Sequence, residues 1–323
     1  MKLKDLRRLI ISKRLNVLIG SGCSLPAIPL MSTFKNKFHD PEANDKLTQK
    51  IKEVSQELIG NNPSAEIEQT LNVYVGFVSQ LIENLNLSNS RETPRRANIF
   101  TTNYDFFIEK SFDIVSKNYN FVINDGAKGY FNRVLESSNF DQIVSYKGIN
   151  DNYISEIPSI SLIKPHGSVN WEKDNDNKNI YIRSHVIDDS VIVKPTGFEA
   201  SDTFSQNHFF SMLRFFTNEL DKPQSVLLVI GFSFQDKHIA KMIKRAIANP
   251  ELIVICFCYS KDDAKIISKN LGYDVNMPTP NNIYFVTPGG NKKEYYEYEL
   301  PKTETITLNT LVKFMDGEFD EKD

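Results

Sequence analysis

Four short apolar runs, each followed by glycine or polar residues, dominate the hydrophobic pattern of the chain. They are LNVLI (15–19), NIFTT (98–102), SVLLVIG (225–231) and LIVICFCY (252–259). Runs that are apolar at nearly every position are typical of parallel strands buried on both faces. SLIKPHG (161–167) and NIYFV (282–286) are weaker candidates for the same sheet. Because helical patterns separate these runs, the chain is predicted to be an α/β protein with a parallel sheet.

A helical insertion is predicted between the first two strands. Apolar residues recur at helical spacing at Ile51, Val54 and Leu58, and again over 67–85, where Ser64 can act as the preceding cap. The domain prediction is therefore a core formed by 1–30 and 97–300, a helical insertion over 31–96, and a C-terminal tail segment over 301–323.

Composition narrows the class of protein. Hydrophobic residues make up 40% of the chain and charged residues 24%, as in soluble globular proteins, and the net charge of −3 gives no basic excess for nucleic-acid binding. No apolar run approaches the roughly 18 residues that a membrane span needs. The N-terminus (1–15) alternates charged and apolar residues, which predicts an amphipathic helix and not a signal peptide. With three cysteines, no disulfide scaffold is expected, and the predicted location is the reducing cytoplasm.

The first strand runs into a glycine-containing loop with Gly20, Gly22 and Ser24. Glycine lets a backbone turn sharply and approach a ligand closely, and a following helix N-terminus would aim N–H groups at a phosphate. The third glycine of the usual dinucleotide fingerprint is missing. Alone, this loop fits both a nucleotide site and an ordinary strand-to-helix turn.

Polar residues also gather at the ends of two further predicted strands. TTNYD (101–105) places Asn103 and Asp105 before an apolar helix pattern, so Asp105 is interpreted either as a site residue or as a helix cap, and Asn103 either as a site residue or as turn chemistry. In KPHGSVNW (164–171), His166 follows an apolar run. By spacing alone, a single histidine is more often structural than catalytic.

The stretch VIGFSFQDKHI (229–239) is the fourth strand end with polar residues. Ser233 stands where a second phosphate or ribose contact could form. Asp236 either belongs to the site or caps the following helix. The histidines show no metal-ligand spacing, so no metal site is predicted.

Taken in order, these four blocks resemble the sirtuin-like NAD-consuming family, most of all its bacterial branch found as effectors of anti-phage defence. The resemblance spans about residues 14–290, and TTNYD and HGSVNW are its most specific parts. It implies a Rossmann-like dinucleotide-binding core in which Asn103 and His166 are the catalytic pair and Asp105 supports them. The positions that would contact NAD are Gly20, Gly22, Cys23, Ser24, Thr102, Gly231 and Ser233.

The chain departs from the protein deacylases that the resemblance includes. Pro165 stands where a leucine is usual, Ile28-Pro29 is not followed by Asp-Phe-Arg, and the zinc cysteines are absent. The last two differences favour cleavage of NAD without a protein substrate, and they make a deacylase the least favoured hypothesis.

The resemblance therefore implies an NAD⁺ glycohydrolase that releases nicotinamide and ADP-ribose, with NAD⁺ as substrate and no cofactor. Unchecked NAD⁺ loss would be toxic to the cell, and the chain has little room for a sensor domain. Control by homo-oligomerisation or by a separately encoded sensor or regulatory protein is expected, and direct nucleic-acid or membrane binding is not. The alternative is a non-catalytic module that senses NAD or ADP-ribose within a complex.

Overall fold

The structure of the chain is a computed structural model. It describes residues 3–34, 41–60, 62–88, 95–142, 145–147, 154–174, 176, 178–194, 207–273, 279–289, 297–301 and 303–320. In this part of the chain, no helix is both long enough and apolar enough to cross a membrane.

The described strands and helices alternate along the chain. The strands are β1 (Arg14–Ile19), β2 (Arg96–Thr101), β3 (Val122–Asn124), β4 (Ala127–Lys128), β5 (Val134–Leu135), β6 (Ser145–Lys147), β7 (Ile154–Glu156), β8 (Ser159–Ile163), β9 (Trp171–Lys173), β10 (Ile180–Ile182), β11 (Ser225–Ile230), β12 (Ile253–Phe257), β13 (Ile283–Pro288) and β14 (Glu297–Leu300). The helices are α1 (Leu3–Ser12), α2 (Met31–Phe34), α3 (Pro41–Ile59), α4 (Ala65–Leu87), α5 (Phe107–Val115), α6 (Asn207–Asp221), α7 (Lys237–Ala246), α8 (Lys261–Asn270) and α9 (Leu308–Asp316).

Eight of these strands form one parallel sheet in the order β14-β13-β12-β11-β1-β2-β8-β3. The predicted fold class is confirmed: a Rossmann-like parallel sheet carries helices on both faces, and α2, α3 and α4 are inserted after the first strand. All six predicted strands belong to this sheet. Two strands were missed, β3 and β14, because each is short and lies at an edge, where one side of the strand is unpaired and the sequence is less apolar.

Two hydrophobic cores lie on opposite faces of the sheet because successive side chains of a strand point in opposite directions. Val17 and Ile19 of β1 pack with α3, α4, α5 and α9, whereas Leu18 between them packs with α6, α7 and α8. Full burial of one such side chain contributes about 1.5–3 kcal/mol. Strands that are covered by helices on both faces therefore need apolar residues at nearly every position.

The inserted helices reach the carboxyl ends of the central strands through α4. This helix begins after Ser64, carries Glu66 and Glu68 in its first turn, and buries one apolar face against α5 and α9. The Tyr74 ring stacks on the Phe107 ring at a centroid distance of 5.2 Å and an interplanar angle of 7°. This contact brings the Tyr74 hydroxyl to the carboxyl ends of the central strands.

Smaller antiparallel sheets complete the fold. Strands β4, β5, β10 and β9 form a four-stranded sheet in that order, and β6 pairs with β7. The helix α9 lies within the predicted tail segment and is anchored to the core, with Leu311 and Phe314 buried. A salt bridge of 3.0 Å between Arg7 and Asp320 ties the end of the described chain to α1.

Candidate functional site

Four neighbouring strands, β11, β1, β2 and β8, carry the predicted site residues at their carboxyl ends. From β1 the chain passes to β2 on one side, and later returns to β11 on the other side of β1. Such a reversal of strand order opens a crevice in which α/β sheets bind ligands. The four sequence blocks, far apart in the chain, are therefore brought to one edge of the sheet.

The loops after β1 and β11 touch each other through their backbones. Gly20 N–H donates to Ile230 O at 3.0 Å, and Gly22 N–H donates to Gly231 O at 3.0 Å. A Cβ at position 20 would lie 2.3 Å from Gly231 O, and a Cβ at position 22 would lie 3.0 Å from Gly231 Cα. Gly231 has a φ of +65°, which side chains disfavour. Close packing of two loops thus accounts for all three glycines.

Cys23 is buried beneath the same contact. Its N–H donates to Gly20 O at 3.1 Å and its Sγ lies 3.5 Å from Ile230 O. Burial, reinforced by the nearby Asp105 charge, raises the thiol pKa well above its ordinary value. The N–H groups of Gly20, Gly22 and Cys23 all have protein acceptors, so the contribution of these residues to NAD binding stays a prediction.

A chain of hydrogen bonds links Asp105, Ser24 and Asn103. Ser24 Oγ donates to Asp105 Oδ2 at 2.9 Å, and Asn103 Nδ2 donates to Ser24 Oγ at 3.2 Å and to Gly20 O at 3.2 Å. Tyr74 from α4 adds its hydroxyl, 3.1 Å from Ser24 Oγ. All four of these side chains are buried.

The direction of these bonds follows from the carboxylate. An ionised Asp105 can only accept, so Ser24 must give it the hydroxyl proton and use its lone pairs for Asn103. Both amide hydrogens of Asn103 are then committed, to Ser24 Oγ and Gly20 O. Among the described residues, none donates to the Asn103 Oδ1 atom. The network therefore leaves an oriented carbonyl oxygen for a ligand or a water molecule.

Asp105 lies one residue before Phe106, the N-cap of α5, so it is not the N-cap that one interpretation expected, but its carboxylate still contacts the start of that helix. Its Oδ1 accepts the N–H of Phe107 at 3.2 Å, at the start of α5, while its Oδ2 serves Ser24. Burial raises the pKa of Asp105, and the positive charge of Lys164 opposes that rise without cancelling it. The carboxylate is thus a helix-end partner and a member of the site at the same time.

Lys164 connects this segment to a neighbouring cavity of about 480 Å³. Its Nζ donates to Asp105 O at 2.7 Å, to Glu109 Oε1 at 2.7 Å and to Ser168 Oγ at 3.0 Å. Lys164 lines the cavity together with Trp171. All three ammonium hydrogens are used, so this lysine holds the cavity wall against the Asp105 segment.

His166 contacts two side chains that lie after β11. Its Nε2 lies 3.2 Å from Asp236 Oδ2 and 3.4 Å from His238 Nε2, and His238 Nδ1 lies 2.5 Å from Asp236 Oδ1. Both rings are buried, and the Asp236 side chain is 12% exposed. Burial alone would raise the pKa of Asp236, but the hydrogen bonds from His166 and His238 outweigh it and hold that pKa below its usual range.

Among the residues that the structure describes, His166, Asp236 and His238 also form a group that could hold a metal ion, because their ligand atoms lie within 4.8 Å of one another. Two imidazoles and a carboxylate suit zinc or iron. The same atoms already satisfy one another by hydrogen bonding, so the geometry is complete without an ion. Asp236 additionally caps α7 by accepting from Ile239 N–H at 3.5 Å, as one of its sequence interpretations expected.

The remaining predicted contacts lie at the rim of the crevice. Thr102 is half-buried between Thr101 and Asn103, and Ser233 is exposed, with its carbonyl oxygen accepting from Asn270 Nδ2 at 2.8 Å. Sequence reasoning missed Tyr74 and His238 as members of the site. Tyr74 is one of many apolar positions of α4, so nothing in the sequence marks it as a site residue. His238 could have been found, because it stands two residues from Asp236 directly after a strand end.

Fold and site together define a Rossmann-like protein with a crevice at the switch point of its sheet. The chain belongs to the SIR2-like domain family, which matches residues 97–270. No curated protein matches the chain significantly.

Two solved structures of Sir2 variants show a distant likeness. One, with a deacetylated p53 peptide and 3′-O-acetyl ADP-ribose, is 13% identical over 98% of each chain, with a TM-score of 0.47. The other, with a p53 peptide and NAD, is 14% identical over 84% of this chain and 97% of that one, with a TM-score of 0.39. The family assignment rests on the domain match and not on these two structures.

The contact between the two loops predicts that alanine substitution changes the stability of the protein very differently at Gly20 and at Gly76. Gly20→Ala is expected to lower the free energy of unfolding by at least about 2 kcal/mol, because the new methyl group would overlap the backbone of Gly231. Gly76→Ala is the matched control, since its Cβ would meet only Val312 Cγ1 at 3.6 Å, and helix α4 should gain about 0.5–1 kcal/mol. Urea denaturation of both variants measures the change in the free energy of unfolding. Equal changes in the two variants would contradict the role of the loop contact.

The buried charge of Asp105 predicts a pH-dependent stability. Burial raises the folded-state pKa of Asp105 above its unfolded-state pKa. The wild-type protein should therefore lose stability as the pH rises from the unfolded-state pKa to the folded-state pKa. Asp105→Asn removes the charge and keeps an acceptor for Phe107 N–H, so its Tm at neutral pH should equal or exceed that of the wild type. Thermal unfolding from pH 4 to 8 tests this, with exposed Asp113→Asn as the control. A large loss of Tm at neutral pH in Asp105→Asn would contradict it.

Proposed function

We propose that the chain is an NAD⁺ glycohydrolase that converts NAD⁺ and water into nicotinamide and ADP-ribose. The observation that carries the proposal is the orientation of Asn103, whose amide hydrogens are both bound by the protein while its carbonyl oxygen is left as an acceptor. His166 lies at the end of the adjacent strand β8. Membership in the SIR2-like domain family agrees with a reaction on NAD⁺.

NAD⁺ is proposed to lie across the crevice, with its pyrophosphate near the loops after β1 and β11. The residues proposed to contact it are those that the resemblance implies: Gly20, Gly22, Cys23, Ser24, Thr102, Gly231 and Ser233. Thr102 and Ser233 are accessible enough for their hydroxyl or N–H groups to donate hydrogen bonds to NAD⁺. Ser24 and Cys23 are buried, so they act through the loop that they hold.

In the proposed reaction the bond between ribose C1′ and the nicotinamide nitrogen breaks, and its electron pair leaves with neutral nicotinamide. The ribose becomes an oxocarbenium-like species, which the negative charge of Asp105 stabilises from a buried position. The Asn103 carbonyl accepts a hydrogen bond from water and aims its oxygen at C1′. His166 takes the proton that water loses as the new C–O bond forms.

The biological role proposed for this reaction is depletion of NAD⁺ as a defence effector in the cytoplasm. A constitutively active enzyme of this kind would harm its own cell. We therefore propose that activity depends on self-assembly or on a separately encoded sensor protein. The inserted helices and the acidic last eight residues, DGEFDEKD (316–323), are the surfaces proposed for such contacts.

The proposed roles predict a loss of nicotinamide release in Asn103→Ala and His166→Ala. Loss of the general base should lower the rate at least about 100-fold, and loss of the water-orienting amide should have an effect of similar size. The matched controls are Asn118→Ala and His185→Ala, which remove exposed side chains of the same types. Chromatography of the products with calorimetry of NAD⁺ binding provides the measurement.

Two outcomes separate the alternatives. Tight NAD⁺ binding without release of nicotinamide by the wild-type protein, with any activating partner present, would indicate a sensor module in place of an enzyme. Wild-type rates in both alanine variants would leave hydrolysis intact but refute the roles of Asn103 and His166.

Activation by assembly or by a partner predicts low activity of the dilute purified chain. Nicotinamide release per molecule should rise with protein concentration, or on addition of the product of a neighbouring gene, while NAD⁺ affinity changes less. Full activity at nanomolar protein without additions would contradict this regulation and leave the proposed reaction untouched.

A further inference from the structure

The cluster of His166, Asp236 and His238 determines where the protons of the two rings sit. A carboxylate is only an acceptor, so each imidazole nitrogen in contact with Asp236 must carry a hydrogen. His166 meets Asp236 Oδ2 through Nε2 at 3.2 Å, and His238 meets Oδ1 through Nδ1 at 2.5 Å. The His166 ring is thereby protonated at Nε2, and the His238 ring at Nδ1.

The third contact of the cluster is consistent with this assignment. His238 protonated at Nδ1 has a lone pair at Nε2, and that atom lies 3.4 Å from His166 Nε2. The His166 N–H therefore points at two acceptors, Asp236 Oδ2 and His238 Nε2. The opposite tautomer of His166 would set a lone pair against both of them, which is repulsive in a buried site.

The other nitrogen of His166 is left as the base. Among the described residues, His166 makes no hydrogen bond through Nδ1. We propose that Asp236 is a positioning residue that locks His166 in the Nε2–H tautomer, so that Nδ1 is the basic nitrogen, and that His238 orients Asp236. The catalytic consequence of this arrangement rests on the proposed hydrolysis of NAD⁺.

The step can be written atom by atom. The water oxygen bonds to ribose C1′ as the bond to the nicotinamide nitrogen breaks, and the water proton passes to His166 Nδ1. The ring then carries one proton on each nitrogen and a positive charge, which Asp236 stabilises through Nε2 without itself being protonated. In this proposal Asp236 acts only through His166, whose Nε2 it contacts.

The backbone supports this arrangement from both sides. Asp236 is the N-cap of α7, which fixes its carboxylate relative to β11. The backbone of His166 is held because its carbonyl oxygen accepts a hydrogen bond from Val193 N–H at 2.8 Å. The two halves of the sheet thus each supply one member of the acid–imidazole pair. Residues 166 and 236 can meet only when both halves are folded together.

Nuclear magnetic resonance of ¹⁵N-histidine protein tests the tautomer directly. The chain has five histidines, so the signals of His166 and His238 can be assigned by comparison with His166→Ala and His238→Ala. The expected pattern is an Nε2–H ring for His166 and an Nδ1–H ring for His238 in the wild type. A His166 ring protonated at Nδ1 in the wild type would overturn the proposal, whatever the activity of the protein.

Kinetics of the same variants tests the consequence. Asp236→Asn keeps a side chain that can cap α7 but can offer an N–H to His166, so it should permit the wrong tautomer. Nicotinamide release should fall about 10²–10⁴-fold in kcat with KM nearly unchanged. His238→Gln, which can still donate to Asp236, should retain more activity than His238→Ala. His185→Ala should behave as the wild type.

The outcomes distinguish this proposal from the proposed function. An active wild type with an unchanged kcat in Asp236→Asn would refute the positioning role alone. A wild type that stays inactive at high protein concentration and with any activating partner present would refute the hydrolase, while the ring tautomers would still decide the role of Asp236. Elemental analysis of the purified protein adds one further arm: one zinc or iron per chain that disappears in Asp236→Asn and His238→Ala would show a metal centre and overturn the proposal.

Discussion

The backbone contact between the loops after β1 and β11 is the constraint on which the site depends. At this point the two halves of the sheet diverge, and three glycines allow the loops to approach without side chains between them. The approach fixes Gly20 O, which receives an amide hydrogen of Asn103. It also sets Asp236, after β11, within reach of His166, after β8. If the two loops were farther apart, the hydrogen bonds of both networks would be broken.

Each network contains a carboxylate that fixes the direction of the hydrogen bonds around it: the buried Asp105 in one and the partly exposed Asp236 in the other. Asp105 forces Ser24 to donate, which turns the Asn103 amide so that its oxygen is left over. Asp236 forces His166 Nε2 to donate, which leaves the other ring nitrogen. The two carboxylates differ in their surroundings. Asp236 faces two imidazoles that lower its pKa, whereas burial dominates at Asp105 and raises its pKa.

Much of the fold could be predicted because doubly covered strands require apolar residues at nearly every position. The strands β1, β2, β11 and β12 stand out for that reason, and the 3.6-residue period of α4 is equally visible. The edge strands β3 and β14 were not found because a short strand paired on one side needs no such run. Within the site, the Asn103 and His166 blocks were visible as polar residues at strand ends. Tyr74 was not, since its hydroxyl reaches Ser24 only after α4 has packed on α5.

The sequence by itself determined the class of fold, the insertion and the four blocks that line the crevice, since these depend on local periodicity and on polar residues that interrupt apolar runs. Tertiary structure alone decided which atoms face one another. Hydrogen-bond direction depends on partners that are distant in the chain, such as Ser24 for Asp105 and Asp236 for His166. No local pattern encodes an amide flip or a ring tautomer, because each is set by the acceptor that folding brings within about 3 Å.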